Sequence, residues 1–452
     1  MTRSVMTLSA QQSGVALISP CGFGNLGDAA IMSAAIAEIR ARLPEAEIVA
    51  FTLNPPDTTE RHGIPAYAID ASTLAGFGRP RASDRGLRWL TESVLQRANG
   101  VSSRVSVALR RVVNALTRPW REFRHWRLIR RVVGRCRYVV VCGGGQLDEF
   151  WGGPWGHPYA MFKFAYLSRR VGARFVILSS GSATLRSAIG RRLIGYALRA
   201  ASYRSFREDF AVDLARGLGA PEPNSWCPDL AFSLSVPTIR PQRRPRRRIG
   251  VSPIAWCDPR SWPEQDSRRY ESYLERLVEF LRQALAKDDE VVLFATAGAD
   301  HRVIADLVER IGAEQTAALS ERLHVSPART VPDLLGELSG LDVVVASRLH
   351  GVLLSYAYRV PVAAVSYDPK VDFLVHRLRQ EAASVPIADF ESGQLLEIVD
   401  ALYQDCESIA QHLDQEVSAW QTLLAEQYDA VFGEVPAPAG ATAAQPTEAV
   451  ML

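Results

Sequence analysis

Lysine is almost missing from this chain: Lys163, Lys287 and Lys370 are the only three in 452 residues, and arginine supplies the other 49 cations. Guanidinium groups do not deprotonate in proteins, so a lysine inside a motif stands out. Cysteine is sparse too. The six, Cys21, Cys136, Cys142, Cys227, Cys257 and Cys406, form no C-x-x-C pair, which excludes a cysteine-based zinc site and, at this length, a disulfide framework. No stretch approaches the roughly 18 consecutive apolar residues that a membrane-spanning helix needs. The first twenty residues carry one arginine and a short apolar run, Val15–Ile18, which reads as a strand and not as a signal peptide. The expected location is therefore the cytoplasm. What remains is average for a soluble globular protein, 47% apolar and 22% charged, and the length suits two or three domains.

The net charge of +3 hides an uneven spread. Between Ala71 and Arg137 sixteen arginines face Asp84, Glu92 and Glu122, a local balance of +13, so the rest of the chain carries −10. Such a segment either meets an anionic partner or packs against acidic protein. Around it, short apolar runs alternate with helical spacing. Gly14–Ser19, Glu47–Leu53, Ala66–Asp70, Tyr138–Cys142 and Arg174–Ser179 read as strands, with helices over Asp28–Leu43 and Leu185–Ala200. Prolines and arginines interrupt the pattern at Pro237–Arg248, and a second series follows: strands Ile249–Pro253, Glu290–Thr296, Leu341–Ala346 and Val360–Ser366, separated by helices. Gln394–Phe432 is helical throughout. The alternation predicts an α/β protein with two doubly wound, Rossmann-like domains, residues 14–240 and 247–433, and an Arg-rich helical insertion at 71–137. The Ala/Pro/Thr-rich tail at 435–452 is expected to be disordered.

Ligands of doubly wound sheets sit beyond the carboxyl ends of the strands, and three segments stand there. Gly22–Phe23–Gly24–Asn25–Leu26–Gly27–Asp28 joins the first strand to the first helix; glycines and a helix N-terminus suit an anion or a sugar, or the loop is a plain turn capped by Asp28. Gly143–Gly144–Gly145–Gln146–Leu147–Asp148–Glu149 follows the Tyr138–Cys142 strand. Its glycines permit close backbone approach, Asp148 and Glu149 could bind sugar hydroxyls or act as a base, and Trp151, Trp155 and Tyr159 follow, with His157 expected to be structural or solvent-facing. The third segment, Ser347–Arg348–Leu349–His350–Gly351, opens a helix with an arginine and a titratable acid. Just beyond it, Asp368 and Lys370 end the next strand, so Arg348 is either an anion ligand or a structural ion-pair partner for Asp368.

These segments, with Ser205–Phe206–Arg207–Glu208–Asp209, Pro228–Asp229 and Ser366–Tyr367–Asp368–Pro369–Lys370–Val371, occur in one order across Gly14–Leu378. Together they resemble the polysaccharide pyruvyl transferase family. The resemblance implies a GT-B-like pair of domains and transfer of pyruvate from phosphoenolpyruvate to a sugar of a polysaccharide or lipid-linked glycan precursor, as a ketal. It also implies that Arg207 and Arg348 hold the donor's anionic groups and that His350 is the essential histidine. The insertion has no counterpart in that pattern. The residue chemistry agrees: phosphoenolpyruvate carries a phosphate and a carboxylate, which planar guanidinium groups bind bidentately. Lys370 adds a third cation, and a charged His350 suits protonation of C3. Asn25, Asp28, Gly144, Gly145, Asp148 and Glu149 are left as acceptor or loop candidates. No metal and no cofactor beyond the co-substrate phosphoenolpyruvate is expected.

Two other readings stay open. One is a GT-B glycosyltransferase using a sugar nucleotide, since that shape serves both chemistries. The other is a non-catalytic protein docking through the insertion, where Val101–Leu116 and Phe123–Val133 carry apolar residues at helical spacing and Arg124, Arg127 and Arg131 lie mostly opposite. Such helices suit an anionic membrane surface or phosphates, or simply pack on their own domain. The enzyme reading favours the inner face of the membrane and gives no role to nucleic acid.

Overall fold

The structure, a computed structural model, describes residues 13–22, 24–71, 103–149, 152–183, 185–235, 245–312 and 321–433, with the backbone alone for 103–116. The tail at 435–452, most of Pro237–Arg248, residues 72–102 of the insertion, and Phe23 and Trp151 lie outside the described residues.

Two all-parallel sheets carry the fold. β1 (Gly14–Ile18), β2 (Ile48–Thr52), β3 (Ala66–Ala68), β4 (Cys136–Cys142), β5 (Arg174–Ser180), β6 (Tyr203–Phe206) and β7 (Ser225–Trp226) form a sheet in the order β3-β2-β1-β4-β5-β6-β7. β8 (Arg248–Ser252), β9 (Glu290–Leu293), β10 (Leu323–Val325), β11 (Val343–Ala346), β12 (Val362–Ser366) and β13 (Ser384–Pro386) form the second, in the order β10-β9-β8-β11-β12-β13. The central strands are nearly unbroken apolar runs, as in Val139–Val140–Val141 and Val343–Val344–Val345, because helices cover both faces. In each sheet the order reverses beside its first strand, between β1 and β4 and between β8 and β11, and there the departing loops open a crevice.

Helices α1 (Leu26–Arg42), α2 (Pro55–His62), α3 (Ser103–Val133), α4 (His157–Val171), α5 (Ala188–Ala200) and α6 (Asp209–Gly217) belong to the first domain. The second has α7 (Ser267–Ala286), α8 (Asp300–Gly312), α9 (Val331–Leu338), α10 (Leu349–Ala357), α11 (Pro369–Arg377) and α12 (Ser392–Gln404). The last helix, α13 (Cys406–Phe432), touches both domains: its first turns are held on the second, through His412 to the Leu378 carbonyl at 3.0 Å and Asp414 to Arg359 at 3.0 Å, and its later turns pack on the first. Its apolar stripe, Leu413, Val417, Trp420, Leu424 and Val431, is buried. Trp420 stands edge-on to Phe232 at 4.9 Å, Phe432 lies 5.0 Å from Tyr138, and Gln427 is hydrogen-bonded to Ser205 and Ser179. One hydrophobic cluster consequently runs through both domains, from Val15, Ile31 and Val140 to Val344, Leu353 and Tyr428.

The Arg-rich insertion enters the described residues as a single helix, α3, which runs through Pro119. Its last turns are anchored: Ile129 and Val133 are buried, and His125 is bonded to the Ala68 carbonyl at 2.9 Å. Phe123, placed by spacing on the same stripe, is instead 51% exposed and stacks on the equally exposed Trp120 at 5.7 Å. Among the described residues no helix is long and apolar enough to cross a membrane.

Candidate functional site

The crevice is built from loops that leave β1, β4 and β6 on one side and β9, β11 and β12 on the other. A backbone hydrogen bond from Leu26 N–H to the Thr296 carbonyl (2.8 Å) ties the two sides together. The cap of α1 is Asn25, not Asp28: its side chain accepts from the Asp28 N–H, and its amide donates to the Asp28 carboxylate at 2.6 Å. That reciprocal pair holds Asp28 in the crevice, where burial pushes its carboxyl above the usual range against the pull of His350 and Arg207. Gly27 is required by contact. A Cβ at this position would stand 2.1 Å from the His350 ring, so the first turn of α1 is the surface on which that imidazole rests.

His350 is 9% exposed, and its Nε2 is buried without a hydrogen-bond partner. Burial lowers its pKa below the ordinary 6.5; Asp28 and Asp229 oppose the shift, and Arg207 and Arg348 add to it. The imidazole is therefore neutral at pH 7 in this state. Arg348, the N-cap residue of α10, pairs through Nε and Nη2 with both oxygens of the fully buried Asp300, each at 2.7 Å. The structural ion pair considered for it exists, but with Asp300 and not Asp368, which instead caps α11 by accepting from the Lys370 N–H. Among the described residues no hydrogen bond is made by the Arg348 Nη1.

Arg207 leaves β6 and is 8% exposed. Its Nε donates to Glu208 at 2.6 Å and its Nη1 to Asp229 at 2.7 Å, and despite burial these carboxylates hold its pKa above the ordinary arginine value. Protein carboxylates thus fix both guanidinium planes, but differently: Arg348 spends one edge on Asp300, whereas Arg207 is bonded from Nε and Nη1 to two carboxylates, which leaves its Nη2. The full bidentate face assumed from sequence is not free. Lys370 reaches across the crevice from the second domain: its ammonium would lie 3.6 Å from a Cβ at Gly145, and among the described residues no carboxylate pairs with it. Arg207, Asp229, Lys370, Trp226, Phe373 and Arg377 line a narrow cavity of about 30 Å³ there, and neither Arg348 nor His350 is among its lining residues.

The β4 loop turns through Gly143 and Gly144 at φ 49° and 67°, values that favour glycine. This brings Gly144 beside Asp28 and Gly145 beside Asp148. Glu149 points elsewhere: it accepts from the Ser187 hydroxyl and from the backbone N–H groups of Arg186 and Ser187, at the start of α5. Burial raises its carboxyl and these bonds outweigh it, holding the group below the usual range. His157 is neither solvent-facing nor satisfied; it is 7% exposed, both ring nitrogens lack partners, and Nδ1 is 3.6 Å from Asp148. Three further groups complete the site: Asp300, Asp229 and Tyr367, whose phenol burial pushes up beside Arg348. Asp229 lay within a motif and could have been picked out as the partner of Arg207. Asp300 is 48 residues from Arg348 and no local pattern links them. Among the described residues no three metal-ligating side chains gather.

The arrangement gathers two guanidinium groups anchored by carboxylates, a neutral imidazole and an ammonium that no carboxylate pairs with among the described residues. The family model described as polysaccharide pyruvyl transferase matches residues 25–369. No curated protein matches the chain significantly in sequence. Among solved structures, the chain is similar in fold to MnaA of S. aureus, solved with UDP (9% identity, 92% of this chain and 94% of that one, TM-score 0.54). The UDP-GlcNAc 2-epimerase of Neisseria meningitidis bound to UDP-GlcNAc is similar too (10%, 92% and 99%, 0.51). So is a glycosyltransferase of Rickettsia africae (7%, 93% and 98%, 0.51). The two domains are thus in a GT-B-like arrangement.

Proposed function

The chain belongs to the polysaccharide pyruvyl transferase family, and from that premise we propose that it moves pyruvate from phosphoenolpyruvate to a sugar of a polysaccharide or glycan precursor, forming a ketal. The observation that carries the reading is the convergence of Arg207, Arg348 and Lys370, from three different strand ends, on a crevice where His350 keeps an unpartnered ring nitrogen. In this reading the remaining N–H groups of Arg207 and Arg348, with Lys370, hold the donor's phosphate and carboxylate. Bound anions raise the pKa of His350, which then gives its proton to C3 as a sugar hydroxyl adds to C2 and passes its own proton to a carboxylate of the site. The C2–O bond to phosphate breaks, phosphate departs on the arginines, and a second hydroxyl of the same sugar closes the ketal, its proton passing to the departing phosphate or back to His350.

Incubation of the protein with phosphoenolpyruvate and a panel of soluble and lipid-linked glycosides tests this. Phosphate release with an acceptor mass gain of one pyruvyl unit is the expected result, and neither appearing with any acceptor counts against it. The sugar-nucleotide reading keeps the argument of fold alone. It gains if uridine diphosphate raises the melting temperature and phosphoenolpyruvate does not. The exposed Trp120–Phe123 pair, with Arg127 over the Phe123 ring at 5.7 Å, supports peripheral docking on an anionic membrane. Vesicles with and without phosphatidylserine, sedimented with wild type and a Trp120→Ser/Phe123→Ser variant, test that part separately.

A further inference from the structure

A second and larger recess lies on the first domain, apart from the cavity at Arg207 and Lys370. It has a volume of about 310 Å³ and opens at the carboxyl ends of β2 and β3, between α3 and the start of α4. Its floor and walls differ sharply in character. At the inner end is His157, with two unpartnered ring nitrogens and Asp148 at 3.6 Å. Behind His157, a Cβ at Gly145 would stand 3.3 Å from the Asp148 carboxylate and 3.6 Å from the Lys370 ammonium, so the β4 loop separates this end from the crevice described above. At the outer end Trp155 is 53% exposed, unusual for so large an apolar ring. It is held edge-on by Tyr159 at 5.6 Å. Tyr159 is itself fixed between Trp126, which donates to its hydroxyl at 3.2 Å, and the Lys163 ammonium, 4.7 Å from its ring.

Arg118, from α3, lies over the Trp155 ring at 5.9 Å. It is exposed, and among the described residues no carboxylate pairs with it. Lys163 is different, being engaged by Glu122 at 3.2 Å and by His125 at 2.9 Å. A half-exposed indole on a rigid mount, a guanidinium over its ring that no carboxylate pairs with among the described residues, and imidazole nitrogens without hydrogen-bond partners further in form an amphipathic slot. Its parts match the apolar face, an anionic substituent and the hydroxyls of a sugar.

We propose that this recess binds the acceptor, and that the acceptor is a sugar bearing an anionic substituent. The sugar lies against Trp155 with the anion at Arg118 and its reacting hydroxyls at His157, which Asp148 backs from outside the recess. The proposal rests on the transfer reaction above for its purpose, but its binding test does not. It also explains why the arginine-rich insertion contributes to this wall: α3 supplies the anion contact that the two sheets alone lack.

Full-length protein is titrated, without phosphoenolpyruvate, with four hexose 1-phosphates, their methyl glycosides, glucuronate and inorganic phosphate, following tryptophan fluorescence and heat. At least one hexose 1-phosphate or glucuronate should bind roughly tenfold more tightly than the corresponding neutral glycoside, and which of the two wins identifies the anion as phosphate or carboxylate. Arg118→Ala should erase that advantage and leave neutral-sugar binding unchanged, whereas Trp155→Ala should weaken both classes roughly tenfold. Both side chains are exposed, and unchanged melting temperatures exclude misfolding as the cause. Equal binding of charged and neutral sugars, inorganic phosphate binding as tightly as any sugar phosphate, or affinities indifferent to both variants would each overturn the proposal. Phosphoenolpyruvate titrated in parallel separates the two readings. Its failure to bind while the sugars bind sinks the transferase reading alone, and the reverse sinks the acceptor recess alone.

Discussion

His350 is neutral in the free protein because burial, with Arg207 and Arg348 near it, lowers its pKa, yet the proposed chemistry needs it charged. The sign of this mismatch sets a prediction. The protonated fraction falls as pH rises through the pKa, which is low without donor and higher beside bound anions. The alkaline limb of kcat/KM, which reports the free enzyme, should therefore lie at lower pH than that of kcat, which reports the complex. Donor binding near pH 7 should take up protons, visible as a buffer-dependent heat. Coincident limbs with no proton uptake would exclude His350 as the acid. His350→Gln should retain donor affinity and lose roughly 10²–10⁴ in kcat. Gly27→Ala reaches the same residue from the other side. Its Cβ cannot occupy space 2.1 Å from the ring, so the imidazole or the first turn of α1 must shift, and a 1 Å misplacement can cost about 10²-fold in rate. Turnover unchanged in Gly27→Ala would show that the ring position is not critical.

At the scale of elements, α13 is the strap that joins the domains. Trp420 is buried against Phe232 and Trp226, and truncating a buried tryptophan to alanine removes about 3–5 kcal/mol. Trp420→Ala should lower the urea midpoint accordingly with little change in slope. A loss under about 1 kcal/mol would mean that α13 is held mainly by its polar contacts, Gln427 to Ser179 and Ser205 and Arg42 to Asp429. The insertion helix α3 behaves as two segments: its last turns share the first domain's core, whereas Trp120 and Phe123 face solvent.

For the whole molecule, a hydrophobic cluster common to both sheets predicts one cooperative unfolding transition and not two, because neither sheet can open without exposing the shared helices. Outside the crevice, where His350 is shifted the same way, a pH dependence follows from two imidazoles, the buried His125 and the half-buried His62. Burial first, then Arg61, lowers His62 to about 4, and burial with Lys163 lowers His125 to about 4. Between that value and the ordinary 6.5 the unfolded chain binds protons that the folded chain refuses, so stability is full above about pH 6.5 and declines as pH falls toward 4. Each group contributes on the order of 1–3 kcal/mol. Asp28, shifted upward by burial, acts in the opposite sense at the acidic end. Urea midpoints at pH 7.5 and 5 should differ, and a His62→Gln/His125→Gln chain should lose most of that difference; the same difference in both chains would assign it elsewhere.

What the sequence determined by itself is whatever short-range spacing encodes. Apolar runs of strand length and helical stripes between them are sufficient for two parallel sheets, and the glycine turn after Cys142 and the helix-opening Arg348 and His350 are visible because each sits at a change of period. Partnerships over long separations are not encoded that way. Asp300 for Arg348, the His350 ring for Gly27, the Ser187 cap that removes Glu149 from the crevice, and the return of α13 to the first domain all depend on where two distant segments land. The recess at Trp155 is the same case. Its aromatic and basic residues are evident in the chain, but only the packing of α3 against α4 leaves the indole half-exposed, sets Arg118 over its ring and buries both nitrogens of His157 without a hydrogen bond, because burial and satisfaction are properties of neighbours and not of residues.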